Sequence, residues 1–159
     1  MWRLAFLLIV LAGCAAPAAG GGDAEPGKVL RVVDGDTIHV AVGGRDERVR
    51  YIGVDTPESV KPGTPVQCFA KRASAYNERL IEGRTVRLVL DAEHRDRYGR
   101  LLAYVYRRRD GLFVNAALVR EGFATILTIP PNVSHAADLR ALERGARADR
   151  RGLWGACAP

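Results

Sequence analysis

Four carboxylates fall in two short turns. Asp34 and Asp36 flank Gly35 in VVDGDTIHV (32–40), and Asp55 and Glu58 enclose Thr56-Pro57 in VRYIGVDTPE (49–58). Runs rich in valine and isoleucine on either side read as strands, and Asp-Gly and Thr-Pro read as turns. If the turns meet at one sheet edge, their mutual repulsion calls for a cation, and hard oxygens suit calcium or magnesium. Asp36, Asp55 and the Thr56 carbonyl are the candidate ligands, with Glu58 placed to hold or deprotonate a water. Arg50 precedes the second turn and Arg100 closes Tyr98-Gly99-Arg100. Two guanidiniums facing a metal stabilise the charge that builds on the equatorial oxygens of a phosphoryl transition state. The plainer alternative is a set of solvated turn carboxylates, with the arginines in structural pairs with Asp36 or Glu58. Asp34 reads as a turn residue.

The elements that must position these groups follow from periodicity. Residues 29–33, 37–42 and 48–54 read as three strands, with Gly43-Gly44 as a hairpin turn. Over 67–82 the apolar residues Phe69, Ala73, Tyr76 and Leu80 recur at helical spacing, and Gly83 ends the helix. Residues 85–90 and 101–107 are two further strands around a charged loop (91–100). Residues 114–121 form a short helix, and 123–129 a strand or buried loop. Ser134 caps a last helix reaching about 150, with Arg144, Arg147, Arg150 and Arg151 on its solvated side. Five strands split by a helix after the third predict an α+β chain. The expected fold is an OB-fold five-stranded Greek-key β-barrel with three α-helices.

The 159 residues are 48% hydrophobic and 26% charged, which excludes global disorder and suits one domain. A net charge of +6, carried mostly by arginine, admits a nucleic-acid partner. Arg3 and the apolar run 4–11 are too short for a bilayer-spanning helix. They end in Leu11-Ala12-Gly13-Cys14, which resembles the lipobox of bacterial lipoprotein precursors. That resemblance implies a signal peptide over 1–13 and lipid on Cys14. A flexible tether over 14–27 and a folded domain over 28–159 follow. The expected location is the cell envelope, at the inner or outer membrane, or the exterior if the leader is a plain secretory signal. In an oxidising compartment Cys68 and Cys157 are predicted to form a disulfide, since two cysteines alone make no zinc site. His39, His94 and His135 share no ligand spacing and read as structural or surface residues.

VVDGDT, VRYIGVDTPE, DRYGRLLAYVY, VNAALVREGFA and the closing GLW, in order across 29–154, are similar to the staphylococcal nuclease family. The resemblance implies Ca²⁺ on Asp36, Asp55 and the Thr56 carbonyl, and Glu58 as general base. Arg50 and Arg100 would grip the scissile phosphate, and Arg97 and Tyr98 a terminal phosphate, with arginine where the family places lysine. The implied reaction is endonucleolytic hydrolysis of DNA or RNA to 3′-phosphate ends, by a monomer with no protein partner. One departure stands out: 125–131 (TILTIPP) lacks the tyrosines that line the family's base pocket. The competing reading is a non-catalytic OB-fold nucleic-acid-binding lipoprotein, and a weaker one is a calcium-binding structural lipoprotein.

Overall fold

The computed structural model describes residues 26–59, 63 and 65–157. The leader, Cys14 and the tether up to residue 25 lie outside them.

Alternating Val and Ile build the wall of a closed five-stranded barrel. β1 (Gly27–Val32), β2 (Thr37–Val42) and β3 (Arg45–Tyr51) form an antiparallel meander. β4 (Gly53–Asp55) leaves the barrel and pairs with β7 (Thr125–Leu127). α1 (Ala70–Ile81) then leads to β5 (Thr85–Val89), which pairs with β6 (Leu101–Arg107) and closes on β1. β6 also runs parallel to β3. α2 (Val114–Arg120), α3 (Ala136–Ala148) and a last turn, α4 (Leu153–Ala156), pack outside. The alternate side chains Val29, Ile38, Val40, Val49, Val86, Leu88 and Val105 are buried, joined by Leu118 and Leu139 from the helices.

The structure corrects three boundaries. The run expected as one strand over 48–54 is two, broken at Ile52-Gly53. Gly53 has φ +80, and a Cβ there would stand 2.6 Å from Leu139, so only glycine fits. The break is satisfied by Ala103, whose carbonyl takes the Ile52 N–H, and by buried Asn115, which donates to the Ile52 carbonyl at 2.8 Å. α1 starts at Ala70 rather than 67, because Phe69 sits at φ +70. Ser134 does not cap α3: its hydroxyl and N–H both go to Asp91, and His135 occupies the cap position without a side-chain bond. The turn of α4 was not expected from the sequence.

Cys68 and Cys157 are disulfide-bonded across 89 residues. Beside the bridge, Gly122 and Gly152 press together so closely that a Cβ on either would meet the other segment's backbone at 2.2 Å. Leu153 N–H also bonds the Gly122 carbonyl at 2.8 Å.

Candidate active site

The first acidic turn is built by its own aspartates. Asp34 Oδ1 accepts the Asp36 N–H at 3.0 Å, and Val33 N–H closes onto the Thr37 carbonyl at 2.9 Å. α1 steadies it from below: buried Asn77 donates to the Asp34 carbonyl at 3.2 Å and accepts the Tyr51 hydroxyl at 3.0 Å. Gly35 is required by contact, because a Cβ there would lie 2.6–2.7 Å from the Thr56 side chain. The two turns therefore touch.

Asp36, only 5% exposed, locks them together. Its Oδ2 accepts the Thr56 N–H at 2.7 Å and the Thr56 hydroxyl at 2.8 Å, and its Oδ1 accepts the Thr37 hydroxyl at 3.2 Å. Arg50, at the end of β3, places Nε 3.1 Å from Asp36 Oδ1 and donates Nη2 to Asp55 Oδ1 at 2.9 Å. Its Nη1 also donates to the Tyr51 and Val54 carbonyls. Glu58 is held through its backbone, which exchanges hydrogen bonds with Gln67: N–H to Oε1 at 2.8 Å, and carbonyl from N–H at 3.0 Å.

Arg100 arrives from the other side. Asp96 organises that corner: its Oδ1 accepts the N–H groups of Tyr98 and Arg100, and its Oδ2 accepts Arg100 Nε at 2.7 Å. Gly99 takes φ +76 at the turn. Tyr98 is 68% exposed, with the Arg97 and Arg100 guanidiniums 4.8 and 5.5 Å from its ring centre. Arg97 Nη2 donates to the Tyr98 hydroxyl at 2.7 Å.

Asp36, Arg50, Asp55, Thr56, Glu58, Tyr98 and Arg100 thus line one cleft of about 340 Å³, together with Asp34. A neighbouring cavity of about 470 Å³ shares Arg50, Tyr98 and Arg100 and adds Arg97, Leu127 and Ile129. Leu127 is 39% exposed and Ile129 58%, so an aliphatic wall stands next to the phosphate-sized cleft. Asp96 and the Thr56 hydroxyl are contributors the sequence reading missed. The signal for Asp96 was present in the Asp-x-x-Gly spacing of a turn.

The electrostatics mark the cleft as short of positive charge on its acidic side. Burial, then the neighbouring Asp36, raises Asp34 to about pKa 6. Burial also raises Asp55; Arg50 opposes it, while Asp36 and Glu58 add to it. A divalent cation would relieve that repulsion, and the oxygen-only donor set suits calcium. Among the described residues no three His, Cys, Asp or Glu side chains form a ready ligand cluster. The fit is therefore two carboxylates, Asp36 and Asp55, plus the Thr56 carbonyl, with water completing the shell. Asp36 would exchange one of its present hydrogen bonds for the ion.

Two of the histidines make structural contacts, and His94 is exposed. His39 bridges Arg31 and Asp46, and His135 packs edge-on against Tyr104.

The family described as "Staphylococcal nuclease homologue" matches residues 48–156. The chain is 44% identical over 126 residues to "Thermonuclease" of Staphylococcus intermedius, covering 79% of this chain and 74% of that protein. It is 41% identical over 127 residues to "Thermonuclease" of Staphylococcus hyicus, covering 80% and 74%. It is 40% identical over 126 residues to "Endonuclease YncB" of Bacillus subtilis (strain 168), covering 78% and 59%.

Proposed function

The chain belongs to the staphylococcal nuclease family, and from that membership we propose a calcium-dependent phosphodiesterase that cuts DNA or RNA internally, leaving 3′-phosphate ends. It is a nuclease, a hydrolase acting on nucleic acid. The observation that carries the finer reading is the meeting of Asp36, Asp55, Glu58, Arg50 and Arg100 in one cleft.

Arg50 reaches the cleft from the end of β3 and Arg100 from the turn before β6, each with its Nε already bonded to a carboxylate. A phosphate held between them meets guanidinium groups whose rotamers are fixed before it arrives, so little reorganisation is left for the transition state. Glu58, on a turn whose backbone is pinned by Gln67, orients or deprotonates the attacking water. Asp36, Asp55 and the Thr56 carbonyl would hold the calcium ion, which when bound supplies positive charge at the phosphoryl oxygen and beside the water. Tyr98 and Arg97 present a hydroxyl and a guanidinium to a neighbouring phosphate. The leader reading extends the proposal to location: lipid on Cys14 tethers a monomeric enzyme to the cell envelope.

The test is cleavage of single-stranded DNA and RNA by the purified protein, with calcium and with chelator, and end analysis of the products. Glu58→Gln is expected to lower turnover far more than substrate binding. Cleavage indifferent to chelator would remove calcium from the reading. Salt-sensitive binding without hydrolysis in calcium would favour a non-catalytic module.

A further inference from the structure

β6 leads away from the candidate site. Arg100 stands just before its first residue and Arg107 is its last, so at ~3.3 Å per residue the two are roughly 20 Å apart. α1 makes the same journey, from Gln67 beside Glu58 to Gly83 and Arg84, ~18 Å of helix further on. At that distant end lies a second cleft of about 620 Å³, lined by Gly83, Arg84, Thr85, Arg107, Arg108 and Arg109.

Its charge is poorly compensated. Arg107 is committed to Asp110 through Nε and Nη2, at 2.9 and 2.6 Å. Arg84 spends one nitrogen on the Arg79 carbonyl. Arg108 and Arg109 are exposed and form no side-chain hydrogen bond or ion pair with a described residue. Lys28, paired in register with Thr85, adds a fifth cation beside a cleft whose described lining residues include no carboxylate.

The folded chain also begins here. Gly27 pairs with Val86 and Lys28 with Thr85, and Val29 N–H bonds the Arg84 carbonyl at 2.9 Å. Residues 15–26 separate Cys14 from Gly27. Even fully extended, a chain of that length reaches no further than ~45 Å, so the cluster stays close to whatever surface holds Cys14. A nucleic-acid strand running from one cleft to the other is less well served. Along β6 the ring it would reach is Tyr106, which already stacks on Phe113 at 4.6 Å and carries the Arg87 guanidinium at 4.5 Å, while Tyr104 is buried.

We propose that the Lys28–Arg84–Arg108–Arg109 cluster is a docking face for anionic phospholipid headgroups. It turns the end where the chain enters toward the membrane and leaves the nuclease cleft, roughly 20 Å away by strand geometry, open to substrate. The orientation rests on the lipid-anchor reading; the cluster's own affinity does not.

Every strand, helix and core residue among the described residues, and the disulfide, lies within 27–157, so the domain 26–159 is tested in soluble form. It is sedimented with phosphatidylcholine vesicles, with and without phosphatidylglycerol. The domain is expected to pellet with the anionic vesicles alone and to be released by salt. Combining Arg108→Glu with Arg109→Glu should weaken pelleting on the order of tenfold or more. Cleavage of a short oligonucleotide should be unchanged, which shows the fold intact. The neutral pair, Arg108→Gln with Arg109→Gln, gives a smaller loss and serves if the charge reversal unfolds the protein. Equal pelleting of variant and parent on anionic vesicles overturns the proposal. So does a variant that keeps vesicle binding and loses only long single-stranded DNA, since the cluster would then be a substrate surface. The mass of Cys14 in envelope-purified full chain judges the anchor separately: an unmodified Cys14 with vesicle binding intact removes the anchor and leaves the docking face.

Discussion

Asp96 and Arg100 are bonded twice, once through the Arg100 backbone N–H at 3.0 Å and once through its Nε at 2.7 Å. The same carboxylate therefore shapes the turn and aims the guanidinium. Burial alone would raise Asp96, but bonds from the Arg100 side chain and from the Arg100 and Tyr98 N–H groups hold it below the ordinary carboxylate range. Asp96→Ala is expected to lower turnover about 10²-fold, the scale of a displaced catalytic group, with the metal affinity unchanged. Kinetics and calcium titration together check this; a proportionate loss of calcium binding would mean a wider collapse.

The two arginines should fail differently. Arg50 is only 13% exposed and ties two carbonyls and two carboxylates, whereas Arg100 binds one described carboxylate, Asp96, and lies against the exposed Tyr98 ring. Either change to lysine should cost on the order of 10²–10³ in rate. Arg50→Ala should also cost about 3 kcal/mol of stability by stranding buried partners. Arg100→Ala should cost less than about 1 kcal/mol in the same denaturant titration.

Leu127 and Ile129 wall the cavity beside Tyr98 without offering a ring. Base stacking is worth roughly 1–3 kcal/mol, so Leu127→Tyr or Ile129→Tyr should tighten mononucleotide binding about fivefold to a hundredfold. The maximal rate should change little. Titration of a mononucleotide against each variant reads this directly, and unchanged affinity would mean that bases do not enter the cavity.

Asp91 fastens β5 to the start of α3. Burial would raise its pKa, but bonds from the Ser134 N–H and hydroxyl, the Tyr104 hydroxyl and the Ala92 N–H outweigh it and leave the group below the usual 3.8. A folded pKa below the unfolded one adds stability that is present above pH 3.8 and is lost as pH falls through the folded value. Asp91→Asn should therefore be less stable at neutral pH and show a flatter acid-unfolding profile than the parent. Equal slopes below pH 4 would contradict it.

The same residue shows where sequence reasoning ran out. Ser134 before an amphipathic run is a normal helix cap, yet its partner is Asp91, 43 residues earlier. Local pattern cannot name a distant acceptor. Period-2 alternation located the barrel strands well, because one face of each is buried whatever its neighbours. It missed the break at Gly53, where α3's Leu139 dictates the backbone. At the site, residue types and spacing named Asp36, Arg50, Asp55 and Glu58, and the fold brings all four to one cleft. The Thr56 hydroxyl and Asp96 needed the turns folded against their neighbours before their roles became visible.

The closure of Gly122 on Gly152 beside the Cys68–Cys157 bridge has a practical consequence. It sets Trp154 under the Arg147 guanidinium, 4.1 Å from the ring, and the only other tryptophan is Trp2 in the leader. Intrinsic fluorescence of residues 26–159 therefore reports on one spot, the seam where the chain's end is stitched to its middle. Emission that shifts on reducing the bridge while cleavage persists would follow the seam opening in real time, apart from the catalytic cleft.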